Sequence, residues 1–234
     1  MPNDSRHDME ILYEDNHLIA VNKGSSDLVQ GDRTGDETLP DRLKQYLKEA
    51  YAKPGNVFLG VTHRLDRPVT GAVIFAKTSK ALARMNAMFA EHKVEKVYWA
   101  LVCGAPSEPE GTLEHYLVRD GAKNKSFAHQ KPVGDAKRAV LHYRTLVKLD
   151  RYTLLEVHLE TGRHHQIRCQ LSTMGCPIKG DLKYGAPRSN PDGGISLHAH
   201  SLSFVHPVTK QPTLIVAPVP NDPLWHVATE KIAD

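Results

Sequence analysis

The sequence predicts one globular domain of mixed α and β structure, with strands in the majority. Alternating or β-branched runs bounded by Gly, Pro, Asn and Asp recur from residue 11 to residue 217, whereas helical spacing of apolar residues is confined to a few stretches. A length of 234 residues suits one large domain with a sizeable core. A hydrophobic share of 40% beside 24% charged residues is that of a folded chain and excludes a disordered one. No internal repeat or low-complexity run competes with this reading.

In chain order, residues 1–8 are polar and expected to be a flexible N-terminus. Ile11 to Glu14 and His17 to Asn22 flank Asp15-Asn16 and read as an opening hairpin, which is expected to leave no room for an appended N-terminal module. Lys23 to Gly35 is a loop, with Leu28 and Val29 a candidate short strand inside it. Thr38 caps a helix carrying Leu39, Leu43, Tyr46 and Leu47 on one face, and Pro54-Gly55 closes it. Gly71 to Ala76 is a buried strand. Ser79 is expected to cap a second helix through His92, and Val94 to Val102 is a strand with Lys96, Tyr98 and Ala100 on one face. Strands follow at 111–116, 139–146 and 152–159. Between the first two lies an exposed hairpin or loop bearing Lys123, Lys125, Lys131, Lys137 and Arg138. Ile167, Leu171 and Met174, followed by Gly175 and Pro177, form a short helix that Thr161 or Gly162 starts, with Arg163 at its entrance. Strands at 197–204 and 213–217 precede a Pro-rich stretch containing Trp225. The expected organisation is a domain over 9–228 and a C-terminal tail over 229–234.

Charge and cysteine usage narrow the function classes. A net charge of +3 is compatible with a polyanionic partner without requiring one, so local patches decide. The basic 119–138 insertion is the phosphate-contact candidate. Cys103, Cys169 and Cys176 are odd in number and lack a Cys-x-x-Cys pair, which points to reduced thiols. No stretch has the length of a membrane span or the make-up of a signal peptide, and a cytoplasmic location is expected. His164 and His165 are adjacent and expected to point in different directions, unlike helical metal ligands one turn apart, so no metal is expected.

The chemistry concentrates at His63-Arg64-Leu65-Asp66-Arg67-Pro68, directly before the buried strand. An aspartate between Arg64 and Arg67 at the edge of a core is expected to stay ionised, as a nucleophile or a base. The same local pattern also fits an aspartate that merely pairs with an arginine to order a loop.

Four separated blocks then decide between these readings. His63-Arg64-Leu65-Asp66 with Thr70-Gly71 and Ala76-Lys77; Lys96-x-Tyr98-x-Ala100-Leu101-Val102; Thr161-Gly162-Arg163-x-His165-Gln166-Ile167-Arg168 through Gly180-Asp181 and Tyr184-Gly185; and Leu197-His198-Ala199 with His206-Pro207 stand in the order seen in RluA-type pseudouridine synthases. The chain resembles that family over roughly residues 9–220. The resemblance implies an α+β catalytic domain on a long, bent, mainly antiparallel sheet with flanking helices and a central RNA cleft. It implies that Asp66 breaks the glycosidic bond of a uridine whose base then turns and rejoins through C5. Arg163 would pair with that aspartate, Tyr98 would stack on the base and help move the C5 proton, and Ile167 would wall it. His63, Arg64, Lys96 and Arg168 stand in the matching motifs as substrate contacts, with Arg64 filling the space of a flipped uridine. Lys123, Lys125, Lys137 and Arg138 are the expected phosphate contacts. The partner implied is structured ribosomal or transfer RNA, met by a monomer without a cofactor.

Two departures stand out. Lys23 is followed by Gly24-Ser25-Ser26 where the family commonly has Lys-Pro, so that loop is expected to be more mobile. No S4-like module precedes the hairpin, so target choice is expected to rest on the catalytic domain and its basic insertion. A non-catalytic RNA binder on the same scaffold would be favoured by loss of Asp66, Tyr98 or Arg163, and all three are present.

Overall fold

The computed structural model describes residues 9–31 and 35–233, so the expectation for residues 1–8 lies outside the described residues. The strands are β1 Glu10–Glu14, β2 Leu18–Lys23, β3 Gly60–Val61, β4 Thr70–Ala76, β5 Glu95–Cys103, β6 Glu110–Asp120, β7 Lys125–His129, β8 Lys137–Lys148, β9 Tyr152–Leu159, β10 Leu197–Val205 and β11 Pro212–Val216. The helices are α1 Leu39–Ala50, α2 Ser79–Ala90, α3 Gln166–Thr173 and α4 Pro223–Ala233. Where one domain over 9–228 is expected, the contacts define two compact units, the first made of residues up to 95 with 201–218, the second of 96–200 with 219 onward.

In the first unit the strand order is β1-β2-β4-β10, with β3 against β4 and β11 against β10. β1–β2, β2–β4, β3–β4 and β10–β11 are antiparallel. β4 is buried along its whole length, as its unbroken run of small and β-branched residues requires. Leu18, Ala20, Ala72, Ile74, Met85, Leu202, Phe204 and Ile215 form the core between this sheet and α2. Gly60 permits the close approach of β3 to α2, since a Cβ there would stand 2.6 Å from Leu82 Cδ2. Thr38 caps α1 as expected, in a reciprocal box with Asp41. The cap of α2 is Thr78, whose side chain accepts the Ala81 N–H at 3.1 Å, and not Ser79, which is the first helical residue. Leu28 and Val29 form no strand. They are buried in irregular chain, with the Leu28 carbonyl accepting the Leu39 N–H.

In the second unit the order is β5-β9-β8-β6-β7, antiparallel throughout, with the first half of β10 beside β5. The basic insertion is a strand hairpin: β6 and β8 run further than the sequence suggested, and β7 pairs with β6 as the edge strand. The 219–234 stretch is a correction. Pro223–Ala233 is helical, so residues 229–233 belong to α4 and not to a tail, and Trp225 packs with Leu101, Val147, Leu154 and Ala228. Pro223 stands at the start of that helix, where a missing N–H costs nothing. His198 and His200 are packing residues: the His200 ring stacks on Trp99 at 3.7 Å, and His198 meets Trp225 edge-on at 5.9 Å.

Candidate active site

Asp66 is half-buried on the loop between β3 and β4, where the sequence places it. That loop continues beside β4 through side chains in place of a ladder. Thr62 Oγ1 donates to the Ile74 carbonyl at 2.6 Å, and His63 Nε2 accepts the Ile74 N–H at 3.1 Å. A His63 ring stacked on Phe89 of α2 at 4.8 Å completes the anchor. His63, expected as a substrate contact, is thus engaged inside the fold. At the far end the Val69 N–H closes a turn on the Asp66 carbonyl at 3.0 Å. Arg64 donates to Gln30 Oε1, and Arg67 meets Asp36 at 2.9 Å, so the two arginines tie the Asp66 loop to Gln30 and Asp36.

Lys23 is the residue the sequence reading missed here. The residue is 1% exposed, and its ammonium donates to the carbonyls of Gly24, Arg67 and Val69 at 2.7–2.8 Å. Two of those carbonyls, of Arg67 and Val69, closely follow Asp66 in the chain. Burial pushes the Lys23 pKa down to about 8, against the opposing pull of Asp27 and Asp66. The last residue of a strand followed by Gly was the available signal, but the sequence shows neither the burial nor the carbonyls 44 and 46 residues away.

A pH dependence follows. Below pH 8 three N–H groups serve three carbonyls; the neutral amine has two, so the loop loses one bond as pH rises through about 8. In the same window global stability does not fall on account of Lys23. Its folded pKa lies below its model value of 10.5, so the unfolded chain binds more protons between about 8 and 10.5 and stability rises with pH there. Activity is therefore expected to decline near pH 8 without a matching loss of melting temperature. Lys23→Met is expected to cost about 1–3 kcal/mol and to remove that limb; a limb that persists near pH 8 in the variant assigns it to another group.

In the second unit Tyr98 is buried on β5 and Lys96 is half-buried on the same face. Burial lowers the pKa of Lys96. Arg163 is exposed and lies before α3, not within it, which corrects the expected helix start. Its Nε donates to the Arg138 carbonyl at 3.0 Å. Buried Gln166 shapes this turn by accepting from Thr161 Oγ1 and the Arg163 N–H while donating to the Val140 carbonyl. Ile167 is buried in the first turn of α3. Arg168 is buried as well, and Asp181 grips it bidentately at 2.7 and 2.9 Å. In place of an exposed substrate contact, Arg168 is the bolt between α3 and the 178–186 loop.

The histidine pair is the second correction. His164 and His165 stack at 3.8 Å with 21° between their planes, and do not diverge. A left-handed backbone at His165, φ 52°, turns the chain and brings the rings together. Tyr184 OH accepts the Ser126 N–H at 2.8 Å and lies within hydrogen-bond distance of His165 Nδ1, at 3.0 Å. Burial, with Arg168 nearby, depresses the His165 pKa to about 2, so the ring stays neutral. Ser126 Oγ donates to the His164 carbonyl and accepts from its Nδ1–H. The β6–β7 hairpin is thereby locked to the turn that carries Arg163. Among the described residues no cluster of three His, Cys, Asp or Glu side chains could hold a metal ion.

Lys123, Lys137 and Arg138 are exposed and Lys125 is half-buried, all on the hairpin or its root. Arg138 is held by Glu114 through two bonds of 2.8 and 3.0 Å.

With this geometry in place, residues 17–173 match the model of the family described as RNA pseudouridylate synthase. The chain belongs to that family. The matched stretch contains Asp66, Tyr98, Arg163, Ile167 and Arg168. An uncharacterized RNA pseudouridine synthase of Synechocystis is 35% identical over 91% of this chain, which spans 66% of that relative. Ribosomal large subunit pseudouridine synthase D of Zymomonas mobilis is 34% identical, with 92% of this chain and 70% of that protein covered. The tRNA pseudouridine synthase C of Vibrio parahaemolyticus is also 34% identical, with 93% and 92% covered. The structure of human RNA pseudouridylate synthase domain containing 4 superposes with a TM-score of 0.77 at 24% identity, covering 96% of this chain and 93% of that one, and confirms the α+β fold of the synthase. No helix among its described residues is long and apolar enough to cross a membrane.

Proposed function

We propose that this protein is an isomerase that converts specific uridines of ribosomal or transfer RNA to pseudouridine. The observation that carries the reading is the family match over residues 17–173, a stretch that includes Asp66, Tyr98, Arg163 and Ile167. Relatives named for each kind of RNA are similar to the same degree, so both substrate classes stay within the proposal.

In this reading Asp66 breaks the N-glycosidic bond, the base turns, and C5 replaces N1 as the point of attachment with loss of the C5 proton. Tyr98 stacks on the base and assists that proton transfer, Ile167 lines its edge, and Arg163 supplies the cation that orients a carboxylate. Arg64 fills the stack vacated by the flipped nucleotide. Lys96, Lys123, Lys125, Lys137 and Arg138 meet phosphate oxygens. His63 and Arg168, given their engagement inside the fold, act by positioning the Asp66 loop and α3. The protein works as a cytoplasmic monomer, and the reaction conserves every atom of the uridine except for proton exchange.

The test is pseudouridine mapping of total RNA from cells lacking the protein, complemented with the intact chain or with Asp66→Ala. Sites that vanish and return only with the intact chain establish reaction and substrate together. If every site persists, and purified protein leaves unmodified RNA unchanged, the non-catalytic RNA-binding reading replaces this one.

A further inference from the structure

Phe127 stands out on the β6–β7 hairpin as an aromatic that the core does not use. It is 39% exposed in the middle of the edge strand β7. Strand register decides which way it faces. Phe127 is directly opposite Val118, and His129 is opposite Tyr116, which is in turn opposite Arg138. These residues share one face of the sheet. Ser126 and Leu117 are on the other face, where Ser126 Oγ bonds to His164 and Leu117 packs with Cys169 of α3. Tyr98 lies on that second face too, because the register runs Tyr98 to Val157, Val157 to Tyr143 and Tyr143 to Gly111, in step with Leu117.

Two ammonium groups stand over the Phe127 ring, Lys123 Nζ at 5.7 Å and Lys125 Nζ at 5.6 Å from its centroid. Exposed Arg138 shares the face of Phe127, and Lys131 follows in the loop after β7, while Arg119 and Lys137, opposite Ser126 and Leu117, carry positive charge on the other face. Of the acidic groups here, Asp120 is paired with Lys123 at 3.6 Å and Glu114 with Arg138, while Asp135 is exposed at the far end of the loop after β7. An exposed ring with cations beside it matches an unpaired nucleotide: the ring offers a stacking surface and the ammoniums, mobile at the end of long side chains, offer contacts to the adjoining phosphates, although Lys125 Nζ is also 5.0 Å from the Tyr184 ring. A paired duplex presents its phosphates but hides its base faces, and fits less well.

We propose that Phe127 is a stacking platform for an unpaired base of the RNA substrate, on the sheet face opposite Tyr98, with Lys123 and Lys125 gripping the adjoining phosphates. This rests on the RNA-modifying reading above and adds to it a preference for targets with single-stranded flanks. β7 is the terminal strand, so a single strand can pass around its edge from one face to the other.

The experiment measures binding of two probes to the full chain by fluorescence anisotropy: a fluorescein-labelled 12-residue oligouridylate, and a 12-base-pair RNA duplex. Stacking on one aromatic corresponds to about 5- to 150-fold in affinity. Phe127→Ala and Phe127→Leu are both expected to weaken oligouridylate binding within that range and to leave duplex binding within about twofold, while Phe127→Trp retains the wild-type affinity. Full retention in Phe127→Leu overturns the proposal by showing that apolar bulk suffices, and so does an equal loss for both probes. Should Phe127→Ala fold poorly, the wild-type protein still decides. Quenching of 2-aminopurine placed in the oligonucleotide supports stacking, and quenching unchanged between wild type and Phe127→Leu overturns it. Because binding is read without turnover, a failed RNA-modification assay and a failed platform are separate results.

Discussion

Asp66→Asn is expected to reduce pseudouridine formation by roughly 10²–10⁴-fold or more while leaving the fold and RNA affinity intact. The exchange keeps the size of the side chain and removes its charge and basicity. The loop has anchors besides that carboxylate: Lys23 grips the carbonyls of Arg67 and Val69, and Thr62 and His63 bond to Ile74. A melting temperature near that of wild type and unchanged binding of unmodified RNA, beside lost turnover, is the expected combination. Turnover within about tenfold of wild type would remove Asp66 from the proposed chemistry.

Asp181→Ala is expected to be the most destabilising single change among the residues discussed, at about 3–5 kcal/mol, because it strands the Arg168 guanidinium in a buried site. The two side chains are 6% and 1% exposed, so the guanidinium left behind is shielded from bulk solvent. For a chain of this size that corresponds to a fall of roughly 6–20 °C in melting temperature. The damage should spread. Asp181 opens the turn that carries Tyr184, and Tyr184 holds both Ser126 and His165. Adding Arg168→Met to Asp181→Leu should recover stability relative to Asp181→Leu alone, since the double change leaves no orphaned charge. Simple additivity in that cycle would show that the pair is not coupled.

How much of this was legible in the sequence depended on how local the cause was. The Thr38 cap, the β4 run and the Asp15-Asn16 turn are written in adjacent residues, and each appears where expected. Ser79 and Thr78 are both good caps, and the choice fell to which residue adopts extended backbone before the helix. The α4 helix was hidden by the prolines around Trp225, although Pro223 is tolerated at a helix start and the apolar residues after it have a core to meet. The divergence expected of His164 and His165 assumed helical geometry for both, and the left-handed turn at His165 cancelled it.

The sequence by itself determined the family, the identity of the candidate catalytic residues and the alternation of strands and helices, because ordered motifs and local periodicity need no knowledge of distant partners. Only the tertiary structure decided that Lys23 is a buried clamp, that Arg168 is spent on Asp181, and that Phe127 faces outward while its neighbour Ser126 faces in. Those outcomes depend on desolvation and on partners tens of residues away. A lysine, an arginine or a phenylalanine keeps the same composition and local pattern whether its surroundings are water, a carbonyl cage or a carboxylate.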